Sequence, residues 1–169
     1  MDATEIIARL SLEPHREGGF FRRTYEAGDQ PRVITPNGER FSLTSIYYLL
    51  SSERPRGHFH RNRSDIVHYF HLGDPVEYFL IDPQGKLERV VMGTNLARGE
   101  QLQLVVPGGW WKASQLQANG INGFGLISEA VSPGFDYQDS ELGKRENLTA
   151  AFPQHTALIR ALTYEDAID

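Results

Sequence analysis

Residues 55–65 of the chain read PRGHFHRNRSD and contain two histidines one residue apart. In a β-strand, side chains at positions i and i+2 point to the same face of the sheet. His58 and His60 are therefore predicted to share a face, with their backbones ~7 Å apart. Asp65 could add a carboxylate from the next strand. The stretch predicts either a divalent-metal site of two histidines and one carboxylate, as in non-haem iron centres, or an acid–base pocket.

The residues around this stretch show the pattern of short β-strands. Aromatic and branched residues recur in short segments, separated by turn signals such as Pro36-Asn37-Gly38 and Pro107-Gly108-Gly109. The predicted strands are 20–25, 42–50, 66–71, 77–81, 87–92, 102–106 and 123–131. Many short strands without helices between them are typical of a β-sandwich or barrel.

Helices are expected at both ends of the chain. Asp2 and Glu5 form a predicted capping box ahead of a short amphipathic helix. Leucine, isoleucine and alanine recur at helical spacing over 141–152 and 156–162, which predicts two further helices.

The composition describes a globular protein with no sign of a nucleic-acid surface. The 169 residues carry a net charge of −5, whereas binding to phosphate backbones requires a basic stripe. The chain has no cysteine, which excludes disulfides and thiolate metal ligands. No signal peptide and no membrane span are expected, which favours a cytoplasmic location. One domain is expected over 1–169, with the barrel at about 18–135 and a helical tail at about 139–163.

Strand parity supplies further candidate site residues. Tyr69 is predicted to share the face of Asp65, which makes it a candidate acid, as is Tyr48. His68 has the opposite parity and is expected on the outer face. Trp110 and Trp111 are adjacent in the sequence, so one is predicted to pack in the core and the other to face a pocket or an interface.

Several stretches together resemble the cupin superfamily. Gly57-His58-Phe59-His60, followed by Asp65 and Gly73, resembles the first cupin motif, and residues 104–109, LVVPGG, resemble the start of the second. The chain resembles one small branch of the cupins more closely still. The stretches concerned are EGGFFR at 17–22, HFHR at 58–61, VPGGWW at 106–111, SPGF at 132–135 and FPQH at 152–155.

The resemblance implies an all-β fold, a double-stranded β-helix or cupin jelly roll, with a short N-terminal helix and C-terminal helices. It also implies that His58, His60 and Asp65 line the barrel interior. The second motif normally has a histidine three residues after its P-x-G glycine, where this chain has Lys112. A cation at that position repels a metal ion and so favours a site that works without one.

The cupin resemblance implies a small-molecule ligand and leaves four functions open. The first is a sugar or nucleotide-sugar isomerase or epimerase. Its candidate catalytic residues are His58, His60, Asp65 and Tyr69. Its candidate ligand-binding residues are Arg22, Tyr48, Trp111 and Lys112. The second is a metal-dependent oxygenase or lyase holding Fe, Mn, Ni or Zn at His58, His60 and Asp65. The third is a binding module without catalysis, and the fourth is a structural hydrogen-bond network.

The segment at 17–22 is expected to form a strand before the main barrel. Such a strand would leave an exposed sheet edge, which another chain can pair with. The chain is therefore predicted to form a homodimer.

Overall fold

The computed structural model describes residues 1–165, which fold mainly into antiparallel strands. The helices are α1 (Ala3–Leu10), α2 (Arg145–Ala151) and α3 (Thr156–Ala161). The strands are β1 (Glu13–Pro14), β2 (Phe20–Glu26), β3 (Val33–Thr35), β4 (Gly38–Arg40), β5 (Thr44–Ser51), β6 (Arg56–Asn62), β7 (Asp65–Gly73), β8 (Val76–Ile81), β9 (Leu87–Met92), β10 (Gln103–Val106), β11 (Trp111–Leu116), β12 (Phe124–Ser132) and β13 (Ser140–Leu142).

Two sheets face each other and enclose the core. The first has the order β1-β2-β5-β12-β7-β10, and the second has the order β13-β6-β11-β8-β9. Buried side chains from both sheets, among them Leu50, Phe70, Leu80 and Ile127, pack between them. Burying these apolar faces removes them from water, and this is the main force that holds the layers together. The predicted all-β jelly roll is confirmed.

The helices cover the outer faces of the two sheets. The predicted capping box of α1 is present, with the Asp2 carboxylate accepting the Glu5 N–H at 2.9 Å, and Ile6 of α1 packs with Leu49 of the first sheet. Helices α2 and α3 place Leu148 and Ile159 in a cluster on the second sheet. Among the residues described, no helix is long and apolar enough to cross a membrane.

Two expectations about the chain's elements are only partly right. The helix predicted from 141 begins at Arg145, because residues 140–142 instead form β13, which pairs with β6 through Leu142 and His60. The strand at the start of the barrel, β2, is a sheet edge only in part, because β1 pairs with it at Phe20 and Phe21 but not at residues 22–26.

Candidate active site in the barrel cavity

A cavity of about 510 Å³ opens between the two sheets. Its volume lies within the range typical of small-molecule sites. The polar groups at its wall come from both sheets and from the loop before β2. They include His15, Glu17, Tyr48, His60, Asn62, Lys112 and Glu129. We call this space the barrel cavity.

A bulge in β6 separates the two histidines of the HxH stretch. Lys112 pairs with His60 and Ser114 pairs with Gly57, so three steps along β6 match two steps along β11. An extra residue of this kind breaks the two-residue alternation of side chains. His60 therefore lines the barrel cavity while His58 does not. The prediction that both histidines face one pocket is wrong.

His60 and Glu17 form a hydrogen-bonded pair, which we call the acid pair. The Nδ1 of His60 lies 2.8 Å from the carbonyl oxygen of His58, and a carbonyl can only accept, so Nδ1 carries the proton. The other nitrogen, Nε2, is then free to accept, and it lies 3.2 Å from Oε2 of Glu17. Burial and the nearby Lys112 ammonium hold the pKa of His60 well below its usual value. His60 is uncharged at neutral pH.

Glu17 supplies the proton that the acid pair shares. Burial raises the pKa of its carboxyl from 4.5 to about 8, although the Lys112 ammonium acts in the opposite direction. A carboxyl with that pKa is mostly protonated at pH 7 and can donate to Nε2 of His60. His15 lies beside it and accepts the Glu17 backbone N–H at Nδ1, at 3.2 Å. Burial lowers the pKa of His15 to about 4, so this ring is uncharged as well.

Lys112, Glu129 and His68 form a second group, which we call the Lys112 cluster. The ammonium lies 3.2 Å from both carboxylate oxygens of Glu129 and 2.7 Å from Nε2 of His68. Burial opposes the charge on Glu129, but the Lys112 ammonium and His68 outweigh it and hold the pKa of this carboxyl well below its usual value. Glu129 and Glu17 thus differ, because Glu129 is charged and Glu17 is not.

His58 fixes the loop that carries Glu17. Its backbone N–H and its ring Nδ1 both donate to the Glu17 carbonyl oxygen, at 2.6 and 3.0 Å. The ring of Tyr164 stacks on the His58 ring at 3.8 Å between centroids, and its hydroxyl donates to the Arg16 carbonyl at 3.0 Å. A segment near the C-terminus therefore holds the Glu17 loop against β6. Gly18 completes this loop at a φ of +107°, where an added Cβ would lie 2.0 Å from the Arg56 carbonyl oxygen.

Besides His58, two residues predicted to be catalytic lie outside the cavity. Asp65 is exposed, and its carboxylate accepts the Gly108 N–H at 2.8 Å, which ties down the Pro-Gly-Gly turn. Tyr69 is on the same outer face and is 39% exposed. The grouping of β7 residues by parity holds, because Asp65 and Tyr69 share one face and His68 has the other, but the face predicted to be interior is the outer one. His68, expected outside, is fully buried in the Lys112 cluster. The alternation of Ile66 and Phe70, which share its parity and are buried, was the available signal.

Of the four residues predicted to bind a ligand, two line the barrel cavity and two do not. Tyr48 and Lys112 line the barrel cavity. Arg22 is exposed, and its neighbour Arg23 lines the cavity instead. Trp111 faces away from the cavity and packs under the C-terminal helices, with the Arg61 guanidinium 4.7 Å above its ring.

Four of the polar residues named at the cavity wall were missed from the sequence: His15, Glu17, Asn62 and Glu129. Glu129 shares its strand parity with the apolar Ile127 and Val131, and an acidic residue in such a buried row signals an interior pair. His15 and Glu17 precede β2 in a loop, where no periodicity could have marked them.

The side chains do not form the predicted metal site. His58 uses Nδ1 to hold the Glu17 loop, Asp65 lies outside the barrel, and Lys112 places a positive charge beside His60. Within the described part of the chain, no group of three or more His, Cys, Asp or Glu side chains is arranged to hold an ion. The donor set therefore does not fit a divalent metal at these residues.

Comparison with known proteins identifies relatives over most of the chain. Residues 4–143 match the family model described as "Cupin superfamily (DUF985)". The uncharacterised protein YML079W of Saccharomyces cerevisiae is 40% identical over 154 residues, which is 85% of this chain and 76% of that protein. A solved structure of a hypothetical protein from Leishmania major is 37% identical with a TM-score of 0.90, covering 98% of this chain and 100% of that one.

A more distant likeness concerns the fold alone. Oxalate decarboxylase from Bacillus subtilis is 16% identical with a TM-score of 0.55, and the match covers 90% of this chain but 37% of that one. Another structure of that enzyme is titled for its Mn(II) centres. At this identity the match supports the jelly-roll architecture, while the side chains of the cavity must be judged on their own geometry.

Proposed function

Because the chain belongs to the cupin superfamily, we propose that it is a metal-independent isomerase or epimerase acting on a small carbohydrate-type substrate. The observation that carries the proposal is the acid pair. Glu17 has a pKa of about 8 and lies 3.2 Å from an uncharged imidazole in a cavity of ligand size. A catalytic acid or base works best when its pKa is close to the working pH, and such tuning marks functional sites.

The proposed reaction moves a proton at a carbon next to a carbonyl group. Ionised Glu17 takes the proton from carbon, and the electrons of the broken C–H bond pass to the carbonyl oxygen to give an enediolate. The ion pair of Lys112 and Glu129 has no net charge, but the dipole of its ammonium group in the same cavity can stabilise that oxygen. Protonation of the same carbon on its other side gives an epimer, and protonation of the neighbouring carbon gives an isomer. No oxidant or reductant is needed.

The remaining cavity residues have supporting roles in this proposal. His60 shares the Glu17 proton and so sets the geometry of the acid. Tyr48 is the candidate for a second proton donor because it lines the cavity; in this structure, its hydroxyl donates to the Gly18 carbonyl at 3.0 Å. His58 and Tyr164 are positioning residues because they act on Glu17 through its loop.

Deuterium exchange tests this proposal directly. The protein is incubated in D₂O with a panel of aldoses and ketoses, and incorporation at the carbon next to the carbonyl is followed by NMR. We expect incorporation with at least one panel member, a rate that rises with pH toward about 8 as Glu17 ionises, and loss of exchange in Glu17→Gln. Glu88→Gln, at a glutamate outside the cavity, is the matched control. Sugars that bind without any exchange would identify a binding module and overturn the enzyme proposal.

We also propose that the chain forms a homodimer, but through a different edge from the one expected from the sequence. Strand β10 is an edge strand, and Leu102 beside it and Val105 within it are 48% and 52% exposed. On the neighbouring β7, Tyr69 and Leu72 are 39% and 41% exposed. An apolar edge of this kind favours pairing with a second chain. Sedimentation showing a monomer of about 19 kDa at micromolar concentration would contradict the dimer.

A further inference from the structure

The charges inside the barrel cavity cancel. The Lys112 ammonium and the Glu129 carboxylate neutralise each other at 3.2 Å. Glu17 is protonated at neutral pH because of its raised pKa, and the lowered pKa values of His15 and His60 leave both rings uncharged. The deep part of the cavity therefore has no net charge to offer a ligand.

The rim of the cavity does not supply a free cation either. Arg23 lines it, but its guanidinium is paired with Glu26 at 2.7 Å. Glu13 and Asp136 also line the cavity and are acidic. Among the lining residues that the structure describes, both cations thus have a carboxylate partner. A phosphate or diphosphate would enter without a counter-charge, and moving an unpaired charge out of water is costly.

Asn62 provides the opposite signal, for a polar but uncharged ligand. Asn62 is 6% exposed and lines the cavity. Both the amide oxygen and the amide nitrogen are buried without a hydrogen-bond partner among the described residues. Buried polar groups are nearly always paired, so an amide lacking partners for a donor and an acceptor indicates that a ligand supplies them.

We propose that the barrel cavity takes an uncharged ligand with neighbouring hydroxyl and carbonyl groups, such as a free sugar, and that Asn62 is the residue that hydrogen-bonds it. The inference rests on the proposed function in taking the barrel cavity as the ligand site. It narrows the substrate class, because it selects free sugars over sugar phosphates and nucleotide sugars.

The first experiment asks whether Asn62 is truly without a partner in the free protein. Asn62→Leu has nearly the same shape and lacks both polar atoms. The control is Asn37→Leu, whose amide donates to the Asp139 carboxylate at 2.7 Å. We expect Asn62→Leu to keep or raise the Tm, whereas Asn37→Leu lowers it by about 2 °C or more, as one lost hydrogen bond does in a chain of this size. If Asn62→Leu falls as far as the control, the amide is already satisfied and the proposal is overturned.

The second experiment tests the charge balance with inorganic phosphate as the probe. Ring signals of His60 and His68 are followed by NMR while phosphate is added to the wild-type protein and to Glu129→Gln, which leaves the Lys112 charge unpaired. We expect no saturable shift in the wild type and a saturable shift in the variant. Saturable binding by the wild type, or none by the folded variant, would overturn the proposal. If Glu129→Gln does not fold, the Asn62 comparison and the wild-type titration still decide. Neither readout uses catalysis, so the result is independent of whether Glu17 performs proton transfer.

Discussion

Replacing Lys112 with methionine would keep most of the side chain's length and remove its charge. Lys112 is 3% exposed, and its ammonium contacts both oxygens of Glu129 at 3.2 Å and Nε2 of His68 at 2.7 Å. Removing one partner of a buried ion pair leaves the other charge without compensation, which costs about 3–5 kcal/mol. For a domain of this size, 1 kcal/mol corresponds to about 2–4 °C in Tm, so we expect a fall of about 6–20 °C at pH 7.5.

The fall should depend on pH because Glu129 titrates. In the wild type its pKa is held well below the usual value, so its contribution to stability is present above the unfolded-state pKa and is lost as pH falls through the folded-state pKa. Without Lys112, Glu129 binds a proton more readily, and the deficit of Lys112→Met should shrink between pH 7.5 and pH 5. Thermal unfolding followed by circular dichroism at both values measures this.

Two variants make the measurement specific to the buried pair. Lys112→Met combined with Glu129→Gln removes both charges and should regain much of the lost stability, since the two residues are directly coupled. Lys86→Met breaks an exposed pair with Glu88 and should change the Tm little. A Lys112→Met protein within about 2 °C of the wild type at pH 7.5, or a double variant no more stable than the single one, would refute the reasoning.

Three further predictions concern the Glu17 loop. Because the pKa of Glu17 is raised to about 8, its stabilising contribution is complete below pH 4.5 and is lost as pH rises through 8. Between pH 5 and 9, the free energy of unfolding measured with urea should therefore change by up to about 5 kcal/mol less in Glu17→Gln than in the wild type. The same pH dependence in both proteins would contradict this. Tyr164→Ala should speed amide exchange at residues 16–18 more than Tyr164→Phe does, because the phenylalanine keeps the stack on His58, and equal rates would show that the stack has no effect. Gly18→Ala should lower the Tm and expose the loop to proteolysis, since its Cβ would meet the Arg56 carbonyl oxygen, and a fully stable variant would refute the close approach.

The barrel could be predicted from the sequence because local residue patterns indicate most of its strands. Alternating apolar residues and glycine turns mark most of the strands, and the capping box marks α1. The strand Ser140–Leu142 could not be recognised, because its leucine also fits a helical pattern and only pairing with β6 decides between the two. Local periodicity carries no information about such a long-range partner.

The site was less predictable because it depends on register. His60, Tyr48 and Lys112, which are candidates from the sequence, line the cavity. The bulge in β6 turns His58 away from the cavity. A bulge cannot be predicted from the sequence of one strand, because it is defined by the register with the partner strand. Glu129 became meaningful only when β12 placed it against Lys112, seventeen positions away in the chain.

The substitution at the second cupin motif changes more than the number of metal ligands. A histidine there would be a neutral ligand, whereas Lys112 carries its own positive charge, and an isolated charge in a barrel interior would be unstable. Glu129 is the compensation, and it is held in the charged form by the same ammonium. On the proposed function, the ammonium group of this pair supplies a fixed dipole where an enediolate would develop, without an ion that can dissociate. The same pair leaves no net charge for an anionic ligand. The absence of a histidine ligand and the buried ion pair both follow from Lys112, and so does the proposed preference for an uncharged substrate.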